Sequence, residues 1–222
     1  MPMPAWLARV CYDFVYTSVF WGLTLGGSVR VVGARNLPRR GPALVLANHT
    51  SFLDPMVAGL ALNRRVGFVA RASLFRHPWV GWFLRGVGTI PIEHRGFSRA
   101  GVQGTLDALG RGQAVLMFPE GERSHDGTGQ PFKPGLALLI GRTRAPIVPA
   151  GIAGAFAAWP RHRKFPRPAP LFLPPTDGTL AVSLGAPIDP AKYDGWSRAD
   201  MLADLAEAVR AEVVKAERIR RK

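Results

Sequence analysis

The apolar positions of this chain collect into short unbroken runs, set apart by longer stretches that mix apolar with polar residues. Ala43 to Ala47, Gln113 to Phe118 and Ile147 to Ile152 are such runs, each bounded by turn-forming residues, and they read as buried strands. Ser28 to Gly33, Val66 to Ala70, Gly88 to Ile92 and Leu180 to Leu184 carry the same signal over fewer apolar residues. Between them lie predicted helices: Asp54 to about Leu62, opened by an Asp-Pro pair that suits a side-chain cap and an early proline; Ser98 to Leu109; and a segment near Gly135 to Arg142. A last helix of mixed charge starts at the cap residue Ser197 and runs into the basic tail Arg218 to Lys222. Strands alternating with helices predict one α/β domain, a largely parallel mixed sheet flanked by helices. Asn36 to Pro42 reads as a turn, and Pro160 to Pro175, rich in proline and arginine, as a surface excursion.

Two apolar segments do not fit this alternation. Phe14 to Val29 carries no charged residue, with Arg9 and Asp13 before it and Arg30 after it. As a helix it spans roughly 24 Å at 1.5 Å per residue, short of the roughly 30 Å hydrocarbon core of a bilayer. Trp6, Tyr12, Phe14, Tyr16, Phe20 and Trp21 crowd this region, and amphipathic rings favour the headgroup zone. Residues 1–27 are therefore expected to form a membrane-associating helix and residues 28–222 the globular domain; an ordinary core helix is the alternative reading. Pro78 to Arg85, with Trp79, Trp82 and Phe83 between Arg76 and Arg85, predicts a second, short interfacial helix. The N-terminus shows no basic region ahead of its apolar stretch and no small-residue cleavage site, so the domain is expected at the cytoplasmic face of a membrane, peripheral or monotopic.

Composition narrows the partners. Lysine and arginine number 29 against 15 acidic residues, a formal charge of +14 that draws anionic lipid, phosphorylated substrates or nucleic acid. No nucleic-acid motif is present, and the aromatics sit in apolar segments instead of alternating with cations, so nucleic acid is not the expected partner despite the Arg161-His162-Arg163-Lys164 cluster. The single cysteine, Cys11, rules out an intrachain disulfide framework. The histidines at 49, 77, 94, 125 and 162 show no zinc-type pairing, and no metal or cofactor is expected.

Two constellations carry chemistry. Asn48-His49-Thr50-Ser51-Phe52-Leu53-Asp54 places an imidazole just beyond a strand and a carboxylate at the start of the next helix. A carboxylate folded back onto one ring nitrogen fixes the tautomer and leaves the other nitrogen to take a proton from a hydroxyl. Taken alone, the spacing fits equally a helix-capping aspartate beside an unrelated histidine. Phe118-Pro119-Glu120-Gly121-Glu122-Arg123-Ser124 leaves another strand through a turn, and in open α/β sheets sites gather beyond the carboxyl ends of strands. Arg123 offers paired charge-assisted hydrogen bonds to a phosphate, and Glu120 can bind a hydroxyl or organise the arginine; a solvated ion pair is the plainer alternative.

With Gly88-Thr89-Ile90-Pro91-Ile92-Glu93-His94-Arg95 and Ala145-Pro146-Ile147-Val148-Pro149-Ala150-Gly151, these segments resemble, in order and spacing, the four sequence blocks of the glycerolipid acyltransferases, the 1-acylglycerol-3-phosphate acyltransferases and their relatives. The likeness spans about residues 30 to 155, and Arg71 to Phe75 and Phe132 to Gly135 look like its connectors. It implies His49 as general base, Asp54 as its orienter, Glu120 and Gly121 in the acceptor site, and Arg123 with Arg95 on phosphate. It further implies transfer from acyl-CoA or acyl carrier protein to a lysophospholipid acceptor, 1-acylglycerol-3-phosphate first among them, to give phosphatidic acid. The chain departs from the pattern at Glu122, where threonine is common, at His94, where the second-block arginine usually stands, and at Arg71, where lysine is typical. No G-x-S-x-G elbow is present, which fits direct transfer without an acyl-enzyme. An acyl thioesterase, in which the same histidine activates water, and a silent lipid-binding scaffold are the remaining alternatives.

Overall fold

The structure, a computed structural model, describes residues 4–26, 28–62, 64–86, 89–92, 99–160, 162–163, 165–167 and 176–222. In chain order the elements are α1 (Ala5–Gly26), β1 (Val29–Val32), β2 (Ala43–Ala47), α2 (Asp54–Ala61), β3 (Val66–Arg71), α3 (Pro78–Gly86) and β4 (Ile90–Ile92). They continue with α4 (Arg99–Gly110), β5 (Ala114–Met117), α5 (Gly135–Ile140), β6 (Ile147–Ala153), α6 (Ala155–Ala158), β7 (Leu180–Leu184) and α7 (Arg198–Arg220). The seven strands form one sheet in the order β1-β7-β6-β2-β5-β3-β4. Every neighbouring pair is parallel except β6 with β7, so the sheet is mixed and largely parallel, as the alternation of elements predicts.

The apolar runs are buried because the central strands are covered on both faces. Alternate residues of β2 point opposite ways, following the two-residue period of a strand. Ala43, Val45 and Ala47 join Val57, Ala58 and Ala61 of α2 on one side. Leu44 and Leu46 join α4, α5 and the Met201, Leu205 and Val209 stripe of α7 on the other. Strands buried on both faces read as continuous apolar runs, which is why β2, β5 and β6 stand out in the sequence. Helix α7 lies close enough to β6 that a side chain at Gly151 would run into the backbone of Glu212 and Val213.

Several elements escaped the apolar pattern: the four-residue α6 and the single-turn 3-10 segments Ala34–Asn36, Ala72–Arg76 and Pro190–Tyr193. Such short pieces are set by local hydrogen bonds and carry no periodicity. The predicted strand Gly88 to Ile92 is seen only as Ile90–Ile92, since residues 87 and 88 lie outside the described residues. Most of the Pro160 to Pro175 excursion also lies outside them; of its described part, Pro160 is buried and residues 162, 163 and 165–167 are exposed.

Candidate active site

Strands β2 and β5 are parallel neighbours, with Leu46 opposite Met117, so the loops that follow them leave from the same end of the sheet. That adjacency brings residues 48–54 against residues 118–124. Asn48 extends the sheet ladder with its side chain: its Nδ2 donates to the Ile152 carbonyl at 3.0 Å, and the Ile152 N–H donates to its Oδ1 at 2.8 Å. The loop after β2 is thereby fixed to β6 before His49 begins. Ser124 N–H then donates to the His49 carbonyl at 2.8 Å, tying the second loop to the first.

Asp54 does not cap α2. Leu53 occupies the cap position without a side-chain bond, and Asp54 is the first helical residue with Pro55 after it. Its fully buried carboxylate turns back over the loop instead, where Oδ2 accepts the Thr50 N–H at 2.6 Å and the Ser51 N–H at 2.7 Å. Residues 50 and 51 curl around Oδ2, a nest of N–H groups that suits an anion, while Oδ1 is buried without a hydrogen bond from the described residues. The same Oδ2 lies 2.9 Å from His49 Nδ1. Its two backbone donors hold the carboxylate as an acceptor, so Nδ1 carries the hydrogen and Nε2 keeps the lone pair. Phe118 stacks on the imidazole, with ring centroids 4.1 Å apart and planes 19° from parallel, which fixes the ring's tilt.

Glu120 is 1% exposed, and both its oxygens face backbone: Oε1 accepts the His49 N–H at 2.9 Å and Oε2 the Gln130 N–H at 3.0 Å. Burial pushes its carboxyl up to about 7, against the pull of those two bonds, and the nearby Asp54 charge adds to the rise. Gly121 turns the chain at φ +77°, a left-handed conformation that glycine adopts without cost, with the Lys133 side chain beside it. Ser124 is buried and accepts the Gly127 N–H while donating to Asp126, so the loop beyond is closed on itself.

Arg123 lies over the Phe52 ring, its guanidinium carbon 3.4 Å from the centroid. Phe52 in turn tilts against Trp159 at 5.7 Å. The structure thus gathers His49, Asp54, Glu120, Gly121 and Arg123 in two interlocked loops. Arg95 and His94 lie outside the described residues, and Glu122 is exposed. Among the described residues no group of three or more His, Cys, Asp or Glu is placed to hold a metal ion.

A sequence profile described as Acyltransferase matches residues 28–153, more than half of the chain and the whole of both loops. The chain belongs to the acyltransferase family. This acyltransferase is 23% identical over 207 residues to the 1-acyl-sn-glycerol-3-phosphate acyltransferase of Bacillus subtilis, covering 93% of this chain and 96% of that one. It is 29% identical over 220 residues to the protein of the same name from Saccharomyces cerevisiae, covering 94% of this chain and 64% of the yeast protein. Against the chloroplastic 1-acyl-sn-glycerol-3-phosphate acyltransferase BAT2 of Brassica napus the identity is 33% over 132 residues, 56% of this chain and 37% of that one. The chain therefore spans nearly all of the bacterial relative and less than two thirds of the other two. In fold it matches the crystal structure of the 1-acyl-sn-glycerophosphate acyltransferase PlsC from Thermotoga maritima, with a TM-score of 0.75 at 24% identity over 95% of this chain and 79% of that one.

The two loops are also held by residues that sequence reasoning passed over. Phe118 sits inside the second motif and stacks on His49, yet a strand-end phenylalanine gives no sign of its stacking partner. Gln130 and Trp159 lie outside both motifs, and their contacts depend on how the loops close.

Proposed function

We propose that this acyltransferase moves a fatty acyl group from the thioester of acyl-CoA or acyl carrier protein to the free hydroxyl of 1-acylglycerol-3-phosphate, forming phosphatidic acid. The observation that carries the reading is the 2.9 Å contact between His49 Nδ1 and a buried Asp54 carboxylate, beside an arginine from the adjoining loop. Nε2 of His49 takes the hydroxyl proton as the oxygen attacks the thioester carbonyl. The carbon–sulfur bond then breaks, and the imidazolium returns the proton to the departing thiolate. Asp54 stabilises the transient imidazolium and keeps the ring in register. Arg123 pairs with the acceptor's phosphate, and Glu120 braces the His49 backbone from beneath.

The family name of the relatives, each called a 1-acyl-sn-glycerol-3-phosphate acyltransferase, supports the acceptor. Membrane association belongs to the same reading. Trp6, Phe14 and Trp21 of α1 and Trp79 of α3 are exposed, and α1 packs against both α3 and α2. Among the described residues no helix is long and apolar enough to cross a bilayer. The two helices suit a docking surface at the cytoplasmic face, the side on which the thioester donors are made.

The test is transfer by the purified full chain from acyl-CoA, and separately from acylated carrier protein, to a panel of lysolipids followed by mass spectrometry. Phosphatidic acid formed in preference to other products supports the reading. Free fatty acid released at the same rate with and without acceptor replaces it with a thioesterase.

A further inference from the structure

We propose that Phe52 is a positioning residue for the acceptor's phosphate group, an aromatic seat that holds Arg123 flat so that its edge meets the phosphate. The proposal rests on the acceptor reading above and adds the residue that sets how tightly that phosphate is held. Phe52 is the odd member of its loop. Ser51 is 1% and Leu53 5% exposed, whereas Phe52 is 46% exposed, so burial in the core does not account for a large ring here. Its position is nonetheless fixed. Trp159 backs it at 5.7 Å, and Trp159 is itself held from two sides: its carbonyl accepts the Ser51 hydroxyl at 2.8 Å, and its Nε1 donates to the Arg163 carbonyl at 3.0 Å.

The guanidinium carbon at 3.4 Å from the ring centroid is a face contact. A guanidinium binds an oxyanion with the N–H groups in its own plane, while its faces are weakly hydrated and suited to an aromatic surface. A seat on one face therefore limits the guanidinium's swing and sets the plane in which its N–H groups lie. The seat and the general base also share one loop: Phe52 lies between His49 and Asp54, and Ser124, next to Arg123, donates to the His49 carbonyl. Arginine and imidazole are thus set at a fixed spacing, which is what a substrate with its hydroxyl and phosphate on one short backbone requires.

The experiment compares the full-length protein with Phe52→Leu and Phe52→Trp, assaying transfer to lysophosphatidic acid and to monoacylglycerol, which lacks the phosphate. Leucine keeps an apolar side chain and removes the π face; tryptophan keeps the face. The expected result is a KM for lysophosphatidic acid raised roughly 3- to 30-fold in Phe52→Leu, kcat within about twofold, and recovery in Phe52→Trp. A rise in KM of equal size for monoacylglycerol overturns the proposal and marks the ring as a lipid contact. An unchanged KM overturns it too, as does a loss confined to kcat. The acceptor reading is judged separately on the wild type: no preference for the phosphate-bearing acceptor removes that reading and the seat together, while a clear preference with an insensitive Phe52→Leu removes the seat alone.

Discussion

At the residue scale the site depends on buried charge being answered by backbone N–H groups. In the proposed mechanism His49 works through the Nε2 lone pair, and Asp54, whose Oδ2 also accepts two loop amides, fixes the ring's tautomer and orientation. Replacing His49 by alanine removes the base and leaves that nest in place. We expect turnover to fall by about 10² to 10⁴, with an unchanged far-UV circular dichroism spectrum; near-native transfer by the variant excludes the mechanism. Glu120 gives a second prediction, with a definite sign. Its carboxyl sits at about 7 in the folded protein against 4.5 as the reference value. Between those values the folded chain holds a proton that the unfolded chain has released, so this group's contribution to stability is fullest below about pH 4.5 and is lost as pH rises through about 7. The loss amounts to about 1.4 kcal/mol per pH unit, about 3 kcal/mol in all. Glu120→Gln places an amide nitrogen against one of the two backbone donors, so it is expected to be less stable throughout by about 1–3 kcal/mol. The decisive readout is the slope: urea unfolding of wild type and variant at about pH 5 and about pH 8 should show the variant losing clearly less stability on the way up. Parallel slopes dismiss Glu120 as the titrating group.

At the scale of elements, the strands and long helices were legible because each carries its own period or its own apolar run. β2 was read as Ala43 to Ala47 and is found there, since a strand covered on both faces has no polar position to blur its ends. Ser197 was read as the cap of the last helix, and its hydroxyl accepts the Asp200 N–H. Asp54 is not the cap that the Asp-Pro pair suggests, because the chain just before it, at residues 50 and 51, curls back and takes the carboxylate for its own amides, a competing local closure. Contacts between loops are illegible for a different cause. The Glu120 bonds to His49 and Gln130, and the Phe52 contact with Trp159, pair residues distant in sequence. Close packing of elements gives a further prediction. α7 crosses β6 at Gly151 so tightly that even a methyl group meets its backbone. Gly151→Ala should destabilise the fold by about 1–3 kcal/mol by overpacking, seen as a lowered thermal midpoint. A midpoint equal to wild type would mean that α7 rides further from the sheet.

At the scale of the whole molecule, the proposed docking to a membrane requires excess positive charge and exposed aromatic rings to act together. The formal charge of +14 attracts an anionic leaflet from a distance, but it is screened within about 8 Å at physiological salt and cannot by itself hold the enzyme against the lipid. Exposed rings can. Phe14 on α1 and Trp79 on α3 are 71% and 78% exposed, on two helices that pack together. Burying about 60 Å² of each ring at about 25 cal/mol per Å² gives about 1.5 kcal/mol, a factor of about ten per ring. α1 is joined to the domain by the Asp13–Arg65 ion pair at 2.6 Å and packs on α2, the helix that begins at Asp54. Docking through α1 and α3 would therefore fix the proposed base relative to the bilayer that, in the proposed function, supplies the acceptor. The double variant Phe14→Ser, Trp79→Ser is accordingly expected to bind anionic vesicles about a hundredfold more weakly, and residual binding should vanish at about 1 M salt, where only short-range contacts survive. Its turnover of a short-chain, water-soluble lysophosphatidic acid should stay near wild type while turnover of vesicle-borne acceptor falls. If both substrates lose rate equally, the rings support the fold instead of the surface; if neither does, the enzyme meets its lipid through another face.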